Sequence, residues 1–203
     1  MSPPRGTRGY GLLEGFLARQ RARMANALIP PGARAGRIVD IGCGAYPLFL
    51  SGTVFREKFG LDRVAAGGGS TGLREQGIEI LHFDVEKDAR LPFDDASVDV
   101  VTMLAVFEHI APQRLAPLTR DVLRVLKPGG MLILTTPAHW TAGILRVLAR
   151  LRLVSHEEID EHKDAYSHGE IVPVLTAAGF AENAIRCGSF ELGLNLWVTA
   201  RKT

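Results

Sequence analysis

Cysteine is nearly absent from this chain, with only Cys43 and Cys187 among 203 residues. That shortage excludes a disulfide-held framework and a cysteine-rich zinc site, and it makes a reducing compartment the default. Long apolar runs are missing too. The most hydrophobic stretch late in the chain is broken by Arg146, Arg150 and Arg152, so no segment reaches the roughly 20 uninterrupted apolar residues of a membrane span. No apolar core with a small-residue cleavage site opens the sequence, so the expected location is cytoplasmic. A broad surplus of one charge is also lacking: 24 Lys and Arg face 22 Asp and Glu, a formal net charge of +2. A nucleic-acid footprint needs a stronger and wider basic excess, and none is expected here.

The charge that exists is unevenly placed. Seven arginines crowd the first 37 residues, at 5, 8, 19, 21, 23, 34 and 37, against the single acid Glu14. Peripheral contact of this basic segment with anionic lipid is one reading. A solvated face over inward leucines is the commoner one. Hydrophobic residues make up 46% of the chain and charged residues 23%, which suits one globular domain over 1–203.

Periodicity predicts a helix over 10–29, ended by Pro30-Pro31-Gly32, within an amino-terminal segment spanning 1–32. Strands are predicted at 37–41, 57–61, 78–83, 98–104 and 131–136, with a loop over 65–72 between the second and third. A helix is predicted at 112–126. Lys127-Pro128-Gly129-Gly130 reads as the turn leading from it into the fifth strand. A further helix is expected near 168–178. Alternating strands and helices, with the strands nearly continuous in apolar residues, imply a mostly parallel sheet covered on both faces. The last two apolar runs, 183–190 and 194–201, are too close for a parallel crossover and must form an antiparallel pair.

Ligands of such sheets bind at the carboxyl ends of the strands. Three acids fall there: Asp40, Asp62 and Asp84. Gly42-Cys43-Gly44 follows the first, where missing side chains let a ligand approach the backbone. Asp62 stands 22 positions after Asp40, the interval for an acid that accepts from ribose hydroxyls. Asp84 is placed to accept from an exocyclic amine one strand further on. Each feature alone is more often a turn or a helix cap. Their joint order and spacing point to an adenosine site.

The residues also carry a resemblance. Val-Asp-Ile-Gly-Cys-Gly (39–44), Gly-Leu-Asp (60–62), Phe-Asp-Val (83–85), Leu-Pro-Phe-Asp-Asp-Ala-Ser-Val-Asp-Val-Val (91–101), Ala-Val-Phe-Glu-His-Ile (105–110), Arg-Val-Leu-Lys-Pro-Gly-Gly (124–130) and Ala-Gly-Phe (178–180) resemble the class I S-adenosylmethionine-dependent methyltransferases, and more narrowly their small type 11 or type 23 group. The resemblance implies an α/β, Rossmann-like seven-stranded sheet of order 3-2-1-4-5-7-6, with strand 7 antiparallel. It implies S-adenosylmethionine as cofactor. It also implies that Asp40, Gly42, Cys43 and Gly44 cradle the methionine part and Asp62 binds the ribose. Asp84 with the Val85 backbone then holds the adenine, and the backbone at Leu104 and Ala105 meets the methionine amino group. One departure stands out. Tyr46 replaces the family's third loop glycine and Pro47 follows, so the next helix must be short.

Residues 138–167 form an insertion longer than a crossover needs and read as a lid over the acceptor, which would be a small or lipid-like molecule. Trp140, Ile144, Leu145, Leu148 and Leu151 would give it an apolar lining, although Trp140 and Trp197 also read as plain packing residues. His139, Tyr166, His168 and His109 are candidate proton acceptors or positioners of the acceptor, with no catalytic residue singled out. His156, His162 and His168 are spaced six apart, off one helical face, so no metal site is read from them. Two other functions use some of the same residues. A nicotinamide-dependent oxidoreductase would need glycine at position 47, where Pro47 stands. A non-catalytic binder of the cofactor or its product would need only the glycines and aspartates. The acceptor atom and the oligomeric state are not legible.

Overall fold

The structure is a computed structural model, and it describes residues 14–63, 70–138, 140 and 166–203. Outside them lie residues 1–13, His139 and most of the expected lid, with His156, His162, Ile144, Leu145, Leu148 and Leu151.

Helix α1 (Glu14–Leu28) ends before Pro30 and Pro31, and a 3-10 turn over Pro31–Ala35 leads into β1 (Arg37–Ile41). The four-residue helix α2 (Leu48–Ser51) follows, then β2 (Glu57–Asp62), α3 (Ser70–Glu75) and β3 (Ile78–His82). Strand β4 (Val98–Leu104) precedes α4 (Pro112–Val125), which runs directly into β5 (Leu126–Pro137). Helix α5 (His168–Ala178) and the hairpin of β6 (Ile185–Phe190) and β7 (Asn195–Arg201) complete the described elements.

The seven strands are ordered β3-β2-β1-β4-β5-β7-β6, as expected. The first five pair in parallel, whereas β7 is antiparallel to both neighbours. Side-chain alternation sends each strand to two cores. On one face Val39, Val101, Met103 and Leu132 pack beneath α4 and α5, against Leu115, Val122, Ile171 and Leu175. On the other Ile38, Val100 and Ile133 pack against Ala25 of α1, Ile29 just beyond it, and Phe49 and Leu50 of α2. None of the described helices is long and apolar enough to cross a membrane.

Two local expectations fail. Residues 70–72, expected in a loop, open α3. The Lys-Pro-Gly-Gly stretch is no helix-to-strand turn but part of β5. The Gly129 N–H donates to the Lys202 carbonyl at 2.8 Å and the Lys202 N–H returns to the Gly130 carbonyl at 2.9 Å. Pairing with β4 then shifts register, from Val98 opposite Leu126 to Val100 opposite Met131. Gly129 has a φ of +79°, so the stretch is a bulged ribbon that only glycine fits comfortably.

Candidate cofactor and acceptor site

The parallel register sets the carboxyl ends of β1, β2, β3 and β4 in one row. Ile41 lies opposite both Leu61 and Met103, and Asp62 lies opposite His82. Beyond Ile41 the chain keeps pairing with β2, since the Gly42 N–H donates to the Leu61 carbonyl at 2.7 Å. It then turns through two left-handed glycines, Gly42 (φ +75°) and Gly44 (φ +70°). A Cβ on Gly42 would come within 2.4 Å of Val106 Cγ2, so the loop after β4 lies closely against the glycine loop. Cys43 is buried beside Gly60, where a Cβ would meet its Sγ at 2.6 Å. Cys43 thus acts as packing under the loop. Tyr46, in place of a third glycine, points outward and is 58% exposed, and α2 is short as expected.

Asp62, only 3% exposed, uses Oδ2 to accept the Gly44 N–H at 2.8 Å. The carboxylate at the end of β2 therefore holds the glycine loop in place. Asp40 is buried below it. Burial raises its carboxyl from 3.8 to about 7; the Thr102 hydroxyl, donating to Oδ1 at 2.6 Å, opposes the rise and the charge of Asp62 adds to it. Asp84 opens a tight turn: its Oδ1 accepts the Glu86 N–H at 3.0 Å and its own N–H donates to Asp88 Oδ2 at 2.7 Å. The Glu86 N–H, with help from Lys87, holds the Asp84 carboxyl below its usual range. Arg114 of α4 fastens this turn by donating to the Val85 and Asp88 carbonyls at 2.6 to 3.2 Å. Ala105, past β4, is left-handed (φ +55°) and donates its N–H to the Thr135 carbonyl at 2.9 Å. Leu104 is half-buried on the strand end beside it.

The row thus brings Asp40, Gly42, Cys43, Gly44, Asp62, Asp84, Val85, Leu104 and Ala105 to one rim. A glycine loop with little room for side chains, a buried acid at the end of β2 and a more exposed acid after β3 suit an adenosine carrying a methionine-like tail.

On the acceptor side, Tyr166 is buried with its ring edge-on to Phe107, centroids 5.0 Å apart. Phe107 and half-buried His109 belong to one 3-10 turn after β4, so Tyr166 and His109 occupy one neighbourhood. His168 opens α5, where its Nε2 lies 3.0 Å from the Gly188 carbonyl and ties the helix to β6. Trp197 packs over Gly188, whereas Trp140 is 57% exposed and does not serve as core. Glu108, between Phe107 and His109, is a residue that sequence reading passed over. The signal was available: an acid inside the apolar run Ala-Val-Phe-Glu-His-Ile.

Two open cavities, about 220 and 460 Å³, are lined respectively by Asp99, Lys127 and Gly129 and by Arg37, Arg90 and Arg124. Both lie at the amino-terminal edge of the sheet, away from the row described above, and the general rule for open α/β sheets favours the opposite edge.

Residues 39–134 match the methyltransferase domain family, a span that contains all nine residues of the row described above. The match, a little under half of the chain, supports a likeness to the class I S-adenosylmethionine-dependent methyltransferases, whose cofactor is S-adenosylmethionine. The chain is 38% identical over 105 residues to a protein named a "probable S-adenosylmethionine-dependent methyltransferase" of Mycolicibacterium smegmatis, covering 51% of this chain and 39% of that protein. It is 28% identical over 174 residues to a second protein with that "probable" name, from Mycobacterium tuberculosis, covering 85% and 58%. The chain therefore spans about half the length of these curated relatives. Among solved structures, a Thermotoga maritima S-adenosylmethionine-dependent methyltransferase superposes with a TM-score of 0.66 at 19% identity, covering 93% of this chain and 90% of that one.

Proposed function

We propose that this protein transfers a methyl group from S-adenosylmethionine to a small or lipid-like acceptor by in-line displacement. The observation that carries this reading is the row at the carboxyl edge, in which Asp62 holds the Gly44 N–H while standing at the position for a ribose. Gly42 and Gly44 would take the methionine part, Asp62 the ribose hydroxyls, and Asp84 with Val85 the adenine. The bound cofactor supplies a methyl carbon made electrophilic by an adjacent sulfonium. The protein's own contribution is alignment and exclusion of water, and alignment is worth about 7–11 kcal/mol in favourable cases.

In the same reading residues 138–167 are a lid within a single domain. Its two ends meet: Ala138 and Tyr166 form a parallel bridge, and the Ala138 N–H donates to the Leu194 carbonyl at 2.9 Å. A segment leaving and returning at the end of β5 is placed to cover an acceptor there. Tyr166, at one root of it, and His109 are the described candidates for positioning the acceptor.

A nicotinamide-dependent dehydrogenase is disfavoured by Pro47 and by the four-residue α2, because that site uses a full helix whose amino end faces a pyrophosphate. Titration calorimetry with S-adenosylhomocysteine and with NAD separates the two. Binding of the first alone is expected, and binding of NAD alone would overturn the proposal.

A further inference from the structure

Glu108 has the lowest exposure of any acidic side chain among the described residues, at 1%, and its position makes that costly. It lies on the 3-10 turn after β4, four residues past Leu104, facing Thr136 near the end of β5. Neither of its carboxylate oxygens has a hydrogen-bond partner among the described residues. Its own N–H and the Thr136 hydroxyl lie near enough to favour the charge without completing a bond, and that hydroxyl is itself unsatisfied. Leaving such a group unpaired costs several kcal/mol in general, so a native protein that keeps one needs a use for it.

The surroundings point to that use. The positive charge of Arg21 on α1 acts on the carboxylate, and His109 lies beside it on the same turn. The same Arg21 also faces Glu191, on the turn between β6 and β7, where Oε2 accepts from the Asn195 amide and Oε1 is buried without a partner. One positive charge thus acts on two carboxylates, and acceptor capacity is left over at the carboxyl ends of β4 and β5.

We propose that Glu108 accepts a hydrogen bond from a nitrogen or oxygen acceptor and takes its proton during transfer, which makes the substrate an amine or a hydroxyl compound. This rests on the methyltransferase reading above and narrows it. The acceptor lone pair forms the new bond to the methyl carbon while the methyl–sulfur bond breaks and leaves its electron pair on sulfur. The proton on the attacking N–H or O–H passes to a Glu108 oxygen. A sulfonium and a carboxylate are consumed together, and thioether, methylated acceptor and carboxylic acid are all neutral. Burial pushes the Glu108 carboxyl up, held back by His109, Arg21 and Thr136.

The test compares the full chain with Glu108→Gln and, as a second variant of similar size, Glu108→Leu. Thermal melts at pH 5 and pH 8, S-adenosylhomocysteine calorimetry and transfer from radiolabelled S-adenosylmethionine to phenol, ethanolamine and N-methylindole are measured. Homocysteine-adduct affinity within about threefold of wild type is expected, because Glu108 stands outside the cofactor row. A buried acid with a raised pKa costs stability as pH rises above its unfolded value, so the variants should gain on wild type between pH 5 and pH 8. Transfer to phenol or ethanolamine should fall by about 100-fold or more in Glu108→Gln. Transfer that survives the substitution, transfer to N-methylindole alone, or variants equally destabilised at both pH values would overturn the proposal. Failure of the wild-type chain to bind S-adenosylhomocysteine would instead overturn the methyltransferase reading beneath it.

Discussion

Asp62 serves two structural and chemical ends, and substitutions can separate them. Its Oδ2 fixes the Gly44 N–H, while the proposed ribose contact needs a charged acceptor. Asp62→Ala loses both and should weaken S-adenosylhomocysteine binding about ten- to hundredfold, the size expected for a charge-assisted hydrogen bond. Asp62→Asn can still accept from Gly44, so its melting temperature should stay near wild type while affinity falls. Calorimetry and melts on both variants check this, and equal affinity in a folded Asp62→Ala protein would remove Asp62 from the site. Asp40 makes a different prediction. Its carboxyl is raised from 3.8 to about 7, so the folded state binds more protons than the unfolded state inside that window. Stability from this group therefore falls as pH rises through the window and is level above it. Asp40→Asn keeps an acceptor for Thr102 and loses the titration. Denaturant midpoints should shift in favour of Asp40→Asn as pH rises from about 4 to about 7, with no further change beyond. A constant difference across that range would mean that Asp40 is not held neutral.

At the scale of elements, strands and helices were legible wherever apolar periodicity ran into a recognisable stop, as at Ile41 before the glycines or at Leu28 before Pro30. The Lys127–Gly130 stretch was misread for a physical reason. Proline and paired glycines signal a break in local backbone, yet here the glycines bond Lys202, distant in sequence, and the register with β4 shifts across them, so that they build a bulge inside a strand. The short α2 was legible because Pro47 forbids an earlier helical hydrogen bond. The role of Arg124 was not legible, since it depends on a loop that approaches from another part of the chain. On α4, Arg124 donates to Asp121 at 2.6 Å and to the Phe93 carbonyl at 2.9 Å, and pairs with Asp95 at 2.7 Å; Asp121 in turn accepts the Leu91 N–H at 2.5 Å. This ties the loop before β4 to the helix. Arg124→Ala leaves a mostly buried Asp121 without its main counter-ion and should cost about 2–3 kcal/mol, below the full value for a buried pair because Asp95 is exposed. Urea denaturation checks the loss, and S-adenosylhomocysteine affinity should be unchanged.

For the molecule as a whole, strand order followed from the resemblance, and the antiparallel end followed from chain length alone, since four residues between β6 and β7 cannot make a parallel crossover. That the residues proposed to hold the cofactor lie in one row was legible because they follow strand ends at regular intervals. The proposed acceptor side was not, because Glu108, Arg21 and Glu191 come from three distant places in the sequence, and no local pattern relates them. The bridge between Ala138 and Tyr166 yields the last expectation. Because both roots of the 138–167 segment are joined at the end of β5, its interior can be replaced without stretching the fold, and closing a shorter loop costs little entropy. Replacing residues 141–164 by a few glycines and serines should leave S-adenosylhomocysteine affinity within about threefold and the melting temperature within a few degrees, while transfer to any acceptor is lost. The cofactor row all precedes residue 106, which is why its function should survive. Hydrogen exchange on the intact chain gives a second measurement: amides of 141–164 should exchange faster than those of β1 and β4, and slow when S-adenosylhomocysteine and acceptor are both present. If the shortened protein unfolds, or if those amides are protected like the central strands in the empty protein, the segment is part of the core and the acceptor must be enclosed by other residues.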